Sequence, residues 1–147
     1  MSNIYQYQVL FGASRQRLKD AEVLLVNKRW NGAIYIGCYT VECILKCYLC
    51  RLDDKMNFQD TRFFPDFKGV TGHNILALFY AAGYDLERAK KIDRSGKLHQ
   101  WMQAIFLLND HTTYRYSSGQ VSEEEAKNVI DAIKGIYRFI QERIERL

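Results

Sequence analysis

The sequence contains a single proline, Pro65, and a modest nine glycines among its 147 residues. Because these two residue types most often interrupt helices and form tight turns, their scarcity favours long helices over a sheet with many turns. The net charge is only +4. Domains that bind nucleic acids usually carry a clustered basic patch and an isoelectric point above about 9, whereas that of this chain is about 8.9. The overall charge therefore permits a polyanionic partner without indicating one.

Several catalytic patterns are also absent. The sequence has no HExxH run, no glycine-rich phosphate loop, and no serine or cysteine arrangement typical of hydrolases. These absences argue against a metalloprotease, a nucleoside-triphosphatase and a triad hydrolase. Residues 1–10 show no basic segment followed by an apolar run, so we expect no signal peptide and a cytoplasmic protein. We expect neither a metal nor another cofactor.

The four cysteines are Cys38, Cys43, Cys47 and Cys50, all within 13 residues of one apolar segment. Disulfide frameworks connect distant loops, so this crowding predicts reduced side chains in the core. The last three have the spacing of the iron–sulfur motif of radical S-adenosylmethionine enzymes, but apolar residues lie between them and the chain is too helical for the barrel of those enzymes. No nearby histidine completes a zinc site.

Residues 30–49 form an apolar run of 20 residues, which is long enough to span a membrane. Glu42 and Lys46 lie well inside this run, and each would cost a few kcal/mol in lipid. We therefore predict a buried central helix and no membrane association.

Hydrophobic periodicity predicts one all-α domain over residues 1–147, with five helical segments. They are residues 9–28, 31–52, 73–82, 95–109, and 122 to the C-terminus. Residues 53–72 contain four phenylalanines and join the second segment to the third. A structureless connection of that length is unusual, so we expect it to fold back onto the bundle or to cover a partner surface.

Local patterns add detail to this prediction. Ala33 and Gly37 lie one turn apart and would let another helix approach closely. Glu42 and Lys46 have the i, i+4 spacing and the order that favour an ion pair, which we interpret as structural. Ser122, with glutamate three residues later, predicts a capped helix start.

Two regions could hold a functional site. His73 opens a short helix, where its ring could cap backbone groups or take part in acid–base chemistry. Residues 110–116 form a polar turn that includes His111, Tyr114, Arg115 and Tyr116. Arg115 could bind phosphate while the tyrosines stack on bases, or these side chains could tie the turn to the helix ends.

Three short motifs, taken in order along the chain, resemble the HEPN family. They are residues 29–35 (RWNGAIY) leading into the Glu42-x3-Lys46 pair, His73-Asn74-Ile75 at a helix start, and Arg115-Tyr116 before the last helix. The resemblance implies a bundle of four to five helices that forms a homodimer. It also implies a frequent nucleotidyltransferase partner in prokaryotic toxin–antitoxin or defence-type systems, and binding of nucleotide or RNA.

Many HEPN proteins are metal-independent ribonucleases with an Arg-x(4–6)-His motif. The matching arginine here is Arg115, but Gln120, Val121 and Ser122 occupy the positions where the histidine would fall. A formal match occurs earlier, from Arg94 to His99, at a frequency that chance explains. The resemblance therefore implies a binding component without an intact ribonuclease motif. The alternatives are a ribonuclease in which Arg94 or Arg115 acts with His99 or His111, and a structural adaptor.

Overall fold

The computed structural model describes residues 3–108 and 121–147. In these residues the chain forms six α-helices, three short 3-10 helices and no strand. The α-helices are α1 (Tyr7–Val26), α2 (Trp30–Leu52), α3 (Ile75–Ala81), α4 (Leu86–Ile92), α5 (Lys97–Phe106) and α6 (Glu123–Glu145). The 3-10 helices are Phe58–Asp60, Phe64–Phe67 and Gly69–His73. The prediction of an all-α bundle is confirmed.

Helix α2 lies at the centre of the bundle and packs against α1, α3 and α6. By length and composition it could cross a membrane, but 78% of its most apolar stretch is buried inside the protein. Gly37 allows α6 to approach closely, because a Cβ atom there would lie 2.8 Å from Cδ1 of Ile133 and 3.1 Å from Cδ1 of Ile130. The predictions of a buried central helix and of a close helix contact at Gly37 are therefore confirmed.

The segment between α2 and α3 folds back onto the bundle, which was one of the two expectations for it. Its 3-10 helices bury Phe58 and Phe67 in the core. The N-terminal segment holds it in place, since the Tyr7 amide donates to the Met56 carbonyl and the Phe58 amide donates to the Tyr5 carbonyl, both at 2.9 Å. These bonds fix the path by which the segment reaches the start of α3.

Two helix starts differ in how well the sequence predicted them. Ser122 caps α6, with its Oγ accepting from the Glu125 amide at 3.1 Å, as expected. The N-cap of α3 is Asn74, whose Oδ1 accepts from the Ala77 amide at 3.0 Å. The interpretation of His73 as the cap is wrong, because a short asparagine side chain reaches this amide directly.

Helix α4 was not among the five predicted segments. It has only seven residues, begins at the cap Asp85, and packs against α5. Ala89 is the residue of α4 that is fully buried, so its apolar pattern is too short to stand out in the sequence. The fold is therefore a bundle around α2, in which α5 packs on α6 and α4 packs on α5.

Candidate functional site

A buried polar cluster lies where the end of the 53–73 segment meets α2. Its members are Glu42 and Lys46 of α2 and His73, and we call them the polar cluster. The Lys46 ammonium donates to Glu42 Oε2 at 2.9 Å, and His73 Nδ1 lies 2.9 Å from Glu42 Oε1. Glu42 therefore joins two groups from separate parts of the chain, one on each carboxylate oxygen.

The three side chains differ in their access to solvent. Those of Glu42 and Lys46 are 6% and 8% exposed, whereas that of His73 is 41% exposed. A charged pair removed from water in this way interacts more strongly than a surface pair, but each partner depends on the other to offset the cost of burial. The predicted pairing of Glu42 with Lys46 is confirmed. The contact of Glu42 with His73 was not predicted.

Aromatic side chains surround the polar cluster. The Lys46 ammonium lies 5.5 Å from the centre of the Phe58 ring, and the Tyr39 ring meets the His73 ring edge to face at 5.9 Å. The hydroxyl groups of Tyr35 and Tyr39 are 3.2 Å apart. Phe58 thus covers the lysine, while the two tyrosines extend the polar surface along α2 beside His73.

Gly72 allows this arrangement at the residue before His73. A Cβ atom on Gly72 would lie 2.9 Å from the Phe67 carbonyl oxygen and 3.5 Å from the Lys46 nitrogen. A side chain here would clash with the Phe67 carbonyl and shift the backbone of the 53–73 segment itself, whereas 3.5 Å from Lys46 is an ordinary contact. The absence of a side chain therefore lets this segment keep the backbone path that ends at His73.

The chemistry available to the cluster follows from the bonding of Glu42. A carboxylate paired with an ammonium group is ionised and only accepts hydrogen bonds, so His73 Nδ1 carries the proton in their contact. In the neutral ring, Nε2 is then an acceptor that can take up a proton. A carboxylate that fixes the tautomer and orientation of a partly exposed histidine is a common arrangement for general acid–base chemistry.

A second polar feature is a groove between α5 and α6, with a volume of about 510 Å³. Three cationic side chains line it, namely those of Lys97, Lys134 and Arg138, together with Trp101 and Asp131. We call it the α5–α6 groove. It combines cationic side chains with an aromatic ring, a combination that the net charge of the chain did not indicate.

The candidate residues Arg94 and His99 lie in and after the turn between α4 and α5. Arg94 is exposed, His99 is half-buried on α5, and no hydrogen bond or ion pair joins these two described residues. The organising residue of this turn is Asp93, whose Oδ2 accepts from the Leu98 amide at 2.9 Å. This hydrogen bond, followed by one from Ser95, lowers the pKa of Asp93.

The other candidates, His111, Tyr114, Arg115 and Tyr116, lie outside the described residues. The chain is described again from Val121, whose amide donates to Asn31 Oδ1 at 3.0 Å. Asn31 is in the first turn of α2, one turn before Tyr35. The final helix is therefore anchored at its entry to the same helix that carries Glu42 and Lys46.

The cysteines are free and belong to the core, as predicted. Cys38, Cys47 and Cys50 are buried and Cys43 is half-buried. Burial raises the pKa of all four thiols to about 12. In the part of the chain that the structure describes, no group of three or more His, Cys, Asp or Glu side chains is placed to hold a metal ion.

Comparison of the chain with protein-family models, with curated proteins and with solved structures gave no match.

Proposed function

We propose that the protein is a HEPN-like component of a prokaryotic toxin–antitoxin or defence-type two-component system, in which it binds RNA or nucleotide. The observation that carries this proposal is the convergence of Glu42, Lys46 and His73. These residues come from two of the three motifs that carry the resemblance, and 31 positions separate His73 from Glu42. Motif residues that meet in one polar cluster support a shared role more strongly than the same residues scattered over the surface.

In this proposal Arg115 supplies the phosphate contact, and Tyr114, Tyr116 and His111 contribute to the binding surface. A guanidinium group binds phosphate through two parallel hydrogen bonds, each assisted by charge. Such a contact contributes roughly 1.5–3 kcal/mol, so Arg115→Ala should weaken binding about ten- to a hundredfold. Arg94→Ala is the matched control, since Arg94 is exposed in a turn and forms no hydrogen bond or ion pair with the described residue His99.

The test is a titration of labelled RNA and of adenine nucleotides against wild type, Arg115→Ala and Arg94→Ala. Circular dichroism should show the same helical signal in all three proteins. If Arg94→Ala weakens binding as much as Arg115→Ala does, the proposed phosphate contact is wrong. If the wild type binds neither ligand, a structural adaptor becomes the better explanation.

A second candidate function is a metal-independent ribonuclease, and the orientation of His73 favours it. With Nδ1 held by Glu42, Nε2 of His73 can accept the proton of a ribose 2′-hydroxyl without a metal ion. The test is RNA cleavage in the presence of a metal chelator, with His73→Asn compared with His99→Asn and His111→Asn. An asparagine amide can still donate a hydrogen bond to Glu42, but it cannot take up or release a proton near neutral pH.

Loss of cleavage in His73→Asn, with a retained melting temperature, would support acid–base catalysis by His73. Loss in His99→Asn or His111→Asn instead would move the reaction to those histidines. If the wild type cleaves no RNA, the ribonuclease candidate is excluded and binding remains.

The proposed partners are a second copy of the chain and a nucleotidyltransferase. Exposed valines on α1 support an interface, since Val23 and Val26 lie beside a shallow surface depression and are 62% and 79% exposed. Large apolar side chains that lie together at a surface are common where proteins associate.

A further inference from the structure

The α5–α6 groove contains three cationic side chains and one carboxylate, that of Asp131. Lys134 contacts Glu22 at 3.7 Å, which is long for an ion pair, and the two side chains are 37% and 42% exposed. Arg138 and Lys97 form no ion pair with any side chain in the described ranges. A negatively charged ligand would therefore meet cations that do not first have to leave a close partner.

Trp101 forms an aromatic wall of the groove, and Gly135 of α6 holds it there. A Cβ atom on Gly135 would lie 2.6 Å from the indole Cε3, so any side chain at this position would displace the ring. The indole is consequently seated against the backbone of α6 and is only partly buried.

Asp131 adds a group of a different kind. Its carboxylate lines the groove with the cations and forms no ion pair with a described residue. An ionised carboxylate only accepts hydrogen bonds, so it favours the part of a ligand that donates, such as a ribose hydroxyl or the amino group of a base. A purely anionic partner, such as an acidic peptide, would meet repulsion at Asp131 and would leave the indole unused.

We propose that the α5–α6 groove binds a nucleotide unit, either free or within a single RNA strand. The base stacks on Trp101, the phosphate contacts Arg138 and Lys134, and a hydroxyl or amino group donates to Asp131. Each of the four bases has an aromatic face that can stack on tryptophan, and cationic side chains beside the ring hold the backbone phosphate. The volume of about 510 Å³ falls within the range of small-molecule sites. This site shares no residue with the polar cluster and goes beyond the proposed function.

The test is a calorimetric titration of the full chain with ATP, with inorganic tripolyphosphate and with a short single-stranded oligoadenylate. Arg138→Gln removes one phosphate contact from an exposed position and should weaken ATP binding about tenfold. Lys127→Gln is the matched control, since Lys127 is an exposed lysine of α6 that does not line the groove. Equal affinity of these two variants for ATP would overturn the proposal.

Trp101→Leu removes the stacking surface and should weaken ATP binding about five- to a hundredfold while leaving the affinity for tripolyphosphate unchanged. Circular dichroism checks the fold of this variant, and Arg138→Gln keeps the test decisive if Trp101→Leu does not fold. Tripolyphosphate binding to the wild type as tightly as ATP would contradict base stacking. Tighter binding of the oligoadenylate identifies an RNA strand as the ligand, tighter binding of ATP identifies a free nucleotide, and binding of neither overturns the site.

The same titrations separate this inference from the proposed function. If His73→Asn or Arg115→Ala abolishes ATP and RNA binding while Arg138→Gln binds like wild type, the groove is excluded and the proposed function stands. The reverse result would keep the groove and contradict the placement of the ligand at Arg115.

Discussion

Replacing Glu42 with alanine is expected to destabilise the protein strongly, because it leaves the buried Lys46 ammonium without its carboxylate. The Lys46 side chain is 8% exposed, and among the described residues the Phe58 ring, 5.5 Å from the ammonium nitrogen, would still contact the cation. A ring at that distance offsets only part of the cost of a desolvated charge. The variant also removes the carboxylate that contacts His73. This loss should destabilise the protein less than the unpaired lysine does, since the His73 ring is partly exposed to water.

Removing one member of a buried ion pair typically costs about 3–5 kcal/mol. At roughly 2–4 °C per kcal/mol for a chain of about this length, the melting temperature of Glu42→Ala should fall by about 6–20 °C. Glu22→Ala is the control, since Glu22 meets Lys134 at 3.7 Å on the surface. Exposed pairs contribute about 0–1 kcal/mol, so this variant should melt within a few degrees of wild type.

The assay is thermal unfolding followed by circular dichroism, extended by a double-variant cycle. Glu42→Gln alone leaves an unpaired lysine, whereas Glu42→Gln with Lys46→Met removes both charges. The double variant should therefore be more stable than Glu42→Gln alone. Equal melting temperatures for Glu42→Ala and Glu22→Ala, or a double variant less stable than the single one, would refute the reasoning.

Four further predictions concern the core and the surface. The four cysteines should resist thiol reagents in the native protein, because a pKa raised from 9.0 to about 12 lowers the thiolate fraction about a thousandfold. Rapid labelling of the folded protein would contradict this. The free energy of unfolding should fall as the pH rises above 9.0, since the unfolded thiols ionise before the buried ones, and denaturant titrations at several pH values measure it. Gly12→Ala in α1 should raise the melting temperature, because alanine favours a helix interior more than glycine does and a Cβ atom at Gly12 meets no other atom. Gly37→Ala should be about 1–3 kcal/mol less stable than Gly12→Ala, because its Cβ atom would press against two isoleucines. Light scattering should give twice the 17.3 kDa chain mass, and a mass of one chain at micromolar concentration would exclude the homodimer.

Short-range patterns predicted most of the helices, because their causes lie within a few residues of each other. The apolar positions of α2 and the Ser122 cap of α6 are examples, as is the Glu42–Lys46 pair, whose members are one turn apart. Helix α4 shows the limit of this reasoning. A seven-residue helix with one fully buried side chain has too little periodicity, and only the Asp85 cap could have indicated it.

The two candidate sites depend on contacts that no local pattern contains. His73 meets Glu42 across 31 residues, and the α5–α6 groove requires two helices to lie side by side. Spacing along each helix carried a partial signal, since Lys97 and Trp101 are four residues apart, as are Lys134 and Arg138. Spacing of this kind predicts which side chains share a face, but only packing shows which two faces meet.

The phenylalanine-rich segment between α2 and α3 explains why the polar cluster is both buried and reachable. Phe58 packs edge to face on Phe64 at 5.9 Å and contacts Phe67 at 6.2 Å, so the rings form one apolar cover. That cover lies over the Lys46 ammonium and keeps water from the ion pair, which strengthens the attraction between Lys46 and Glu42. The same segment ends at His73 and places that ring at the edge of the cover. Burial of the lysine and presentation of the histidine are thus two consequences of one folded segment.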